Sequence, residues 1–195
     1  MASPDQPLVL ASTSPQRRAI LEQLRIPFEA VAPTYVEHDP PDADPVSLVR
    51  DHAAGKARSV HREGRVTLGV DTTVHLAGRV YGKPADADDA ARMLRELSGR
   101  THTVLSGVSL LGPGFEALEH VTTEVTFRAL TALDLEAYLA SGEWGGRAGA
   151  YAIQGLGGRL VEAIGGDYLN VVGLPGAVLV ELLDRHAPEL LQIAG

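Results

Sequence analysis

Apolar and polar positions alternate along this chain with two distinct periods, and the places where the period changes mark its elements. An apolar run, Pro7 to Ala11, ends in small polar residues, and Ser14-Pro15 then opens a stretch with Ala19, Ile20, Leu21 and Leu24 at helical spacing. Ser14 is suited to an N-cap with Pro15 at the first helical position, so the segment predicts strand, turn, helix. A second strand is expected over Phe28–Ala32. Residues 33–45 are acidic and proline-rich and read as a surface loop, after which Val46, Val49, Ala53, Ala57 and Val60 restore a helical stripe. Val66 to Leu76 alternates with period two and predicts a strand, turning at Ala77-Gly78 into a short partner over Arg79–Tyr81. A helix over Asp86–Leu97 is closed by Gly99. Two long alternating strands, His102–Leu111 and Leu118–Arg128, should lie side by side. A helix near Leu133–Ser141, a glycine-rich stretch over 142–158, a hairpin-like region over 159–172 and a last helix from Pro175 to Arg185 complete the chain. Helices interleaved with hairpins imply an α/β protein with a mixed sheet and argue against an all-parallel one.

Composition narrows what such a fold can do. With 195 residues the chain is long enough to bury about 70% of its unfolded surface and to hold a cleft, as one domain or two closely joined lobes. The absence of Cys excludes disulfides, thiolate metal sites and a thiol nucleophile, leaving oxygen or His ligands for any metal, with Mg²⁺ the default. A net charge of -8 argues against binding nucleic acid or an anionic membrane. Met1 to Pro7 lacks the pattern of a signal peptide and no apolar run is long enough to span a bilayer, so the expected location is cytoplasmic. Of the 17 basic residues only Lys56 and Lys83 are not Arg. A compact ammonium suits phosphate oxygens where a planar fork does not, which makes these two positions candidates for a polar cleft.

Ser12-Thr13-Ser14-Pro15-Gln16-Arg17-Arg18 is the strongest local signal. A helix N-terminus, two hydroxyls and two guanidinium groups together form a cradle for phosphate, and Arg in a first turn makes little sense against the helix dipole otherwise. Asp71 lies mid-strand between small neighbours, and Glu37 lies in the acidic loop. Two carboxylates brought together by folding would hold a divalent cation whose other ligands come from substrate phosphates. The seven His show no metal-ligand spacing, which argues against a His-based site.

These segments together resemble the Maf family of nucleoside triphosphate pyrophosphatases. The matching residues are Leu10-Ala-Ser-Thr-Ser-Pro15 with Arg17, Lys56-Ala57, Gly69-Val-Asp-Thr72, Gly82-Lys-Pro84, Leu97-Ser-Gly-Arg100, Thr123-Glu-Val125, Ala148 through Gly155 and Val172-Gly-Leu-Pro175, in family order over nearly the whole chain. The resemblance implies a single Maf/ITPase-like domain over 1–195 with a mixed sheet, a deep cleft between two lobes, and a homodimer. It implies hydrolysis of a nucleoside triphosphate to the monophosphate and pyrophosphate with a divalent cation, Mg²⁺ or Mn²⁺. Asp71 would be the catalytic acceptor that activates water, and Glu37 with Asp71 would hold the metal. Ser12, Ser14, Arg17, Lys56 and Lys83 would hold the triphosphate. Thr72 and Gln154 resemble the branch acting on dTTP and UTP, while Gln16 stands where that branch has Arg and would broaden the choice toward CTP or modified pyrimidine nucleotides. Clearing of non-standard nucleotides and a link to cell-division arrest would follow. Alternatives are a 7-methyl-GTP pyrophosphatase, disfavoured by Thr72 and Gln154, and a non-catalytic nucleotide- or protein-binding regulator of septum formation, which would release no pyrophosphate.

Overall fold

The computed structural model describes residues 6–38, 40 and 43–192; most of the segment read for a leader, and part of the acidic loop, lie outside the described residues. Among the described residues, six α-helices are interleaved with seven strands, and five of the helices fall where the sequence predicts them. The strands are β1 (Leu8–Ala11), β2 (Phe28–Val31), β3 (Thr67–Leu76), β4 (Arg79–Tyr81), β5 (Thr101–Gly112), β6 (Phe115–Phe127) and β7 (Val161–Gly165). The helices are α1 (Pro15–Gln23), α2 (Pro45–Val60), α3 (Ala87–Leu97), α4 (Ala132–Ala140), α5 (Tyr168–Val172) and α6 (Gly176–His186). The strands hydrogen-bond in the order β2-β1-β3-β5-β6-β7, with β4 beside β3. β1 runs parallel to β2 and β3, whereas β3–β4 and β6–β7 are antiparallel, so the sheet is mixed. The expected hairpin over 159–172 is corrected here: β7 adds to β6, but Tyr168–Val172 turns into the short helix α5. Among the described residues no helix is long and apolar enough to cross a membrane.

The chain divides into two compact units, the first comprising residues 1–71, 106–121 and 173–195 and the second residues 72–105 and 122–172. In the first, every residue of β1 is buried, as a strand covered on both faces requires. Ser14 caps α1 and Asp44 caps α2, each followed by Pro at the first helical position, and the Asp44 carboxylate accepts the Ser47 N–H at 2.8 Å. Helix α2 buries Leu48, Val49, His52, Ala53, Lys56 and Ala57, a stripe at i, i+4 spacing. It lies against two glycines of the sheet. A Cβ on Gly69 would stand 2.1 Å from the Ala53 carbonyl oxygen, and one on Gly107 would stand 2.1 Å from that of Val49. The strands can approach the helix this closely only because those positions have no side chain.

The second unit has its own core, in which Val74, Leu94, Leu97, Val104, Val125, Phe127 and Leu160 pack together. Its helices carry explicit start signals: Asp86 accepts the Asp89 N–H at 2.8 Å, and Thr131 and Asp134 form a reciprocal capping box before α4. Inside this core sits His102, 1% exposed, with Tyr151 Oη at 2.9 Å from Nε2 and the rings of Phe127 and Tyr151 edge-on to it. Burial pushes the His102 imidazole down to about 4, so it is neutral at physiological pH.

Candidate active site

The turn from β1 into α1 is organised by its hydroxyls. Ser12 is buried at the end of the strand; its Oγ accepts the Ser14 N–H at 3.1 Å and an Arg17 Nη1–H at 3.2 Å. Ser14 Oγ accepts the Arg17 N–H at 3.4 Å as the helix cap and donates to Gln16 Oε1 at 3.1 Å. Arg17 also donates from Nε to the Gly173 carbonyl at 2.9 Å, which ties the turn to the segment leading into α6. The guanidinium is therefore folded back over the turn instead of extending into solvent. Burial lowers its proton affinity, while the charges of Asp71 and Glu37 raise it. Four of the residues singled out from the sequence, Ser12, Ser14, Gln16 and Arg17, thus share one turn.

A second group converges on α2 and β3. Lys56, 7% exposed, places Nζ 2.6 Å from Asp71 Oδ1 and 2.6 Å from Glu37 Oε1, so one ammonium spans both carboxylates. Stripe-edge snorkelling would have left this lysine wet; instead it is drawn inward by two partners. Burial pushes the Asp71 carboxyl up, but the contact with His52, the charge and hydrogen bond of Lys56 and the charge of Arg17 outweigh it and hold the group below the usual carboxylate range. Asp71 is ionised throughout the physiological range.

His52 is the residue that sequence reading passed over. It lies four positions before Lys56, hence on the same helical face, and its Nδ1 is 3.6 Å from Asp71 Oδ2. Ligand atoms of Glu37, His52 and Asp71 all lie within 4.8 Å of one another, a grouping able to hold a metal ion. The absence of paired His in the sequence argued against a His ligand. The signal that could have found this one is the i, i+4 relation to an unusual lysine, not spacing to another His.

The remaining candidates belong to the second unit or its edge. Thr72 follows Asp71 on β3, and the pleat directs the two side chains to opposite faces. Lys83 is exposed, in a segment where the Gly82 carbonyl accepts the Gly149 N–H at 3.1 Å. Gln154 is exposed immediately after the buried run Tyr151-Ala152-Ile153. The loop beyond it is fastened by Glu143, whose Oε1 accepts the Leu156 N–H at 3.1 Å and whose Oε2 accepts the Gly157 N–H at 2.9 Å. That approach needs Gly155, where a Cβ would stand 1.9 Å from Glu143 Oε1.

The chain's similarities are specific. A family model described as Maf-like protein matches residues 7–186. The dTTP/UTP pyrophosphatase of Moorella thermoacetica is 48% identical over 185 residues, 90% of this chain and 93% of that one. That of Nitratidesulfovibrio vulgaris is 47% identical over 184 residues, 92% of this chain and 88% of that one. Among solved structures, the Staphylococcus aureus Ham1 protein overlaps with a TM-score of 0.44 and 12% identity, covering 63% of this chain and 72% of that one, a likeness that carries no argument.

Proposed function

The chain belongs to the Maf family, and from that premise we propose that it hydrolyses dTTP and UTP to the nucleoside monophosphate and pyrophosphate. The observation that carries the reading is the buried Lys56 ammonium bridging Glu37 and Asp71, in the same unit as the Ser12–Arg17 turn. Ser12, Ser14, Arg17 and Lys56 hold phosphate oxygens, the hydroxyls and the guanidinium as donors and the ammonium as a point charge. Asp71 orients the attacking water and takes its proton as water adds to the α-phosphorus and pyrophosphate leaves. A divalent cation, Mg²⁺ or Mn²⁺, held by Glu37 and Asp71 supplies charge neutralisation at the phosphates. Both carboxylates offer oxygen donors, and they converge on one point beside Lys56.

Lys83 is assigned to the triphosphate and Thr72, Gln154 and Gln16 to base choice on the family resemblance. An exposed side-chain amide such as that of Gln154 can donate and accept at once, which suits the alternating acceptors and donor of a uracil or thymine edge. A deep substrate cleft and a homodimer belong to the reading on the resemblance alone.

Incubation with UTP, dTTP, CTP, ATP and GTP and Mg²⁺ or Mn²⁺, followed by ³¹P spectroscopy, tests it. Pyrophosphate and monophosphate should form, with kcat/KM about ten- to hundredfold higher for UTP and dTTP than for the purines. Release of orthophosphate, or a purine preference, would overturn the assignment.

A further inference from the structure

Gln154 sits in a segment that is exposed and yet restrained. It is the third residue of a turn in which the Ala152 carbonyl accepts the Gly155 N–H at 3.1 Å, and Gln154, Gly155 and Leu156 are all exposed. A surface turn of this kind ordinarily leaves its other backbone groups to water. Here three N–H groups flanking Gln154 are taken by two side chains from one place, α4 and the turn that follows it. The Ala152 N–H donates to Tyr138 Oη at 3.1 Å, and the Leu156 and Gly157 N–H groups donate to the two oxygens of Glu143. All of these residues belong to the second unit.

The two side chains act as one clamp. Tyr138 is buried, and having accepted from Ala152 its phenol gives its own hydrogen to Glu143. Burial and the Glu143 charge push that phenol up to about 12, so the hydrogen stays in place. Glu143 is fixed in turn: its N–H donates to Ser141 Oγ at 3.2 Å, the Ser141 hydroxyl donates to the Tyr138 carbonyl at 2.6 Å, and the neighbouring Trp144 indole donates to the Leu139 carbonyl at 3.1 Å. Leu156 stays 43% exposed, so the Glu143 arm gains little from apolar burial. What it supplies is a fixed backbone beside Gln154.

We propose that Tyr138 and Glu143 are positioning residues for base choice, holding the backbone of residues 152–157 so that the Gln154 amide meets a pyrimidine edge already oriented. An amide discriminates between base edges only if its donor and acceptor are held within about 0.5 Å of the matching groups, and on a loose turn it swings to suit the wrong edge as well. A turn ordered during folding also leaves less freedom to be lost when the base arrives. The inference rests on the pyrophosphatase reading, which assigns Gln154 to the base.

The test compares kcat/KM for UTP and ATP in Tyr138→Phe, which removes only the hydroxyl, in Glu143→Gln, in Gln154→Ala and in the two double variants with Gln154→Ala, with circular dichroism confirming the fold. Tyr138→Phe and Glu143→Gln should each lower the UTP-to-ATP ratio about three- to tenfold, and the loss should appear in KM for UTP with kcat changed less than about twofold. Gln154→Ala should lower the ratio at least as far. In that background neither further substitution should move it by more than about 1.5-fold, because the side chain they position is gone. Hydrogen exchange at the Leu156 and Gly157 N–H groups should accelerate at least about tenfold in Glu143→Gln while the amides of β5 keep their rates. Unchanged selectivity in both single variants, a Gln154→Ala ratio equal to that of the wild type, an equal loss with and without Gln154, a loss confined to kcat, or unaccelerated exchange at Leu156 and Gly157 would each overturn the proposal. A wild type that releases no pyrophosphate or prefers purines removes the pyrophosphatase reading and this inference with it. A wild type that prefers UTP, with a ratio unmoved by Tyr138→Phe and Glu143→Gln, removes only the inference.

Discussion

Each unit of this protein buries an imidazole almost completely, and the two have little else in common. His102, 1% exposed, is surrounded by Phe127 and Tyr151 and touches no charge. His52, 3% exposed, lies beside an ionised carboxylate that also holds a lysine. Burial alone therefore does not mark a working histidine; what it is buried against does. In the second unit polar groups are buried by making them neutral, as the lowered His102 shows. In the first, Lys56 and Asp71 are instead buried as charges that compensate each other, an arrangement stable only while both partners are present.

The largest expected break in this contrast is Asp71→Asn, which keeps side-chain volume but removes the charge on which Lys56 and His52 converge. Turnover of dTTP and UTP should fall at least about 1000-fold, about 4 kcal/mol in the barrier, while circular dichroism stays native. A variant within a few-fold of wild type would show that the cluster is structural.

His102 supplies the converse test. An unfolded imidazole titrates near 6.5 and the folded one only at about 4, so the native state binds fewer protons between those values. Its contribution is present above pH 6.5 and is lost as pH falls toward 4, with a full difference on the order of 3 kcal/mol. His102→Gln, whose amide can donate to or accept from Tyr151, should flatten this part of the acid limb when urea midpoints are measured from pH 7 to 4. An unchanged slope would mean that another group governs it.

Lys56→Arg sharpens the charge side of the comparison. A planar fork cannot stand 2.6 Å from both Glu37 and Asp71 in the space of an ammonium, and kcat/KM should fall by roughly 30-fold, about 2 kcal/mol, although the charge is kept. The smallest effect is expected at Glu143. Glu143→Gln leaves one of two N–H donors, Leu156 or Gly157, without its acceptor, costs about 1 kcal/mol, and should reduce the preference for pyrimidine over purine triphosphates several-fold with kcat for dTTP nearly constant. Unaltered selectivity would separate that loop from base choice.

Much of this was legible beforehand because it is local. The Ser14-Pro15 start of α1, the alternation through β3 and the closing Gly99 each follow from one stretch of chain, and the scarcity of lysine pointed to Lys56. The long-range placements were not. Nothing in the sequence says that Arg17 turns back to Gly173, and the hairpin expected after Arg159 failed because Tyr168–Val172, apolar enough for a strand, satisfies its backbone as a helical turn. His52 was missed for a related reason. Its partners are a strand residue and a loop residue, so its role depends on which strand lies under the helix, and a single-sequence pattern does not carry that.

The seating of α2 on Gly69 and Gly107 makes the joint between helix and sheet stiff. Most helices rest on a layer of side chains whose rotamers can hop and absorb small displacements. Here carbonyl oxygens of the helix meet the strands with no such cushion, so α2 cannot slide or roll without carrying β3 and β5 with it. The offset between the backbones that carry Lys56 on the helix and Asp71 on the strand is therefore set by the seating of helix on sheet. Most of the ordering of that pair has already taken place during folding, and a ligand arriving there has correspondingly little left to organise.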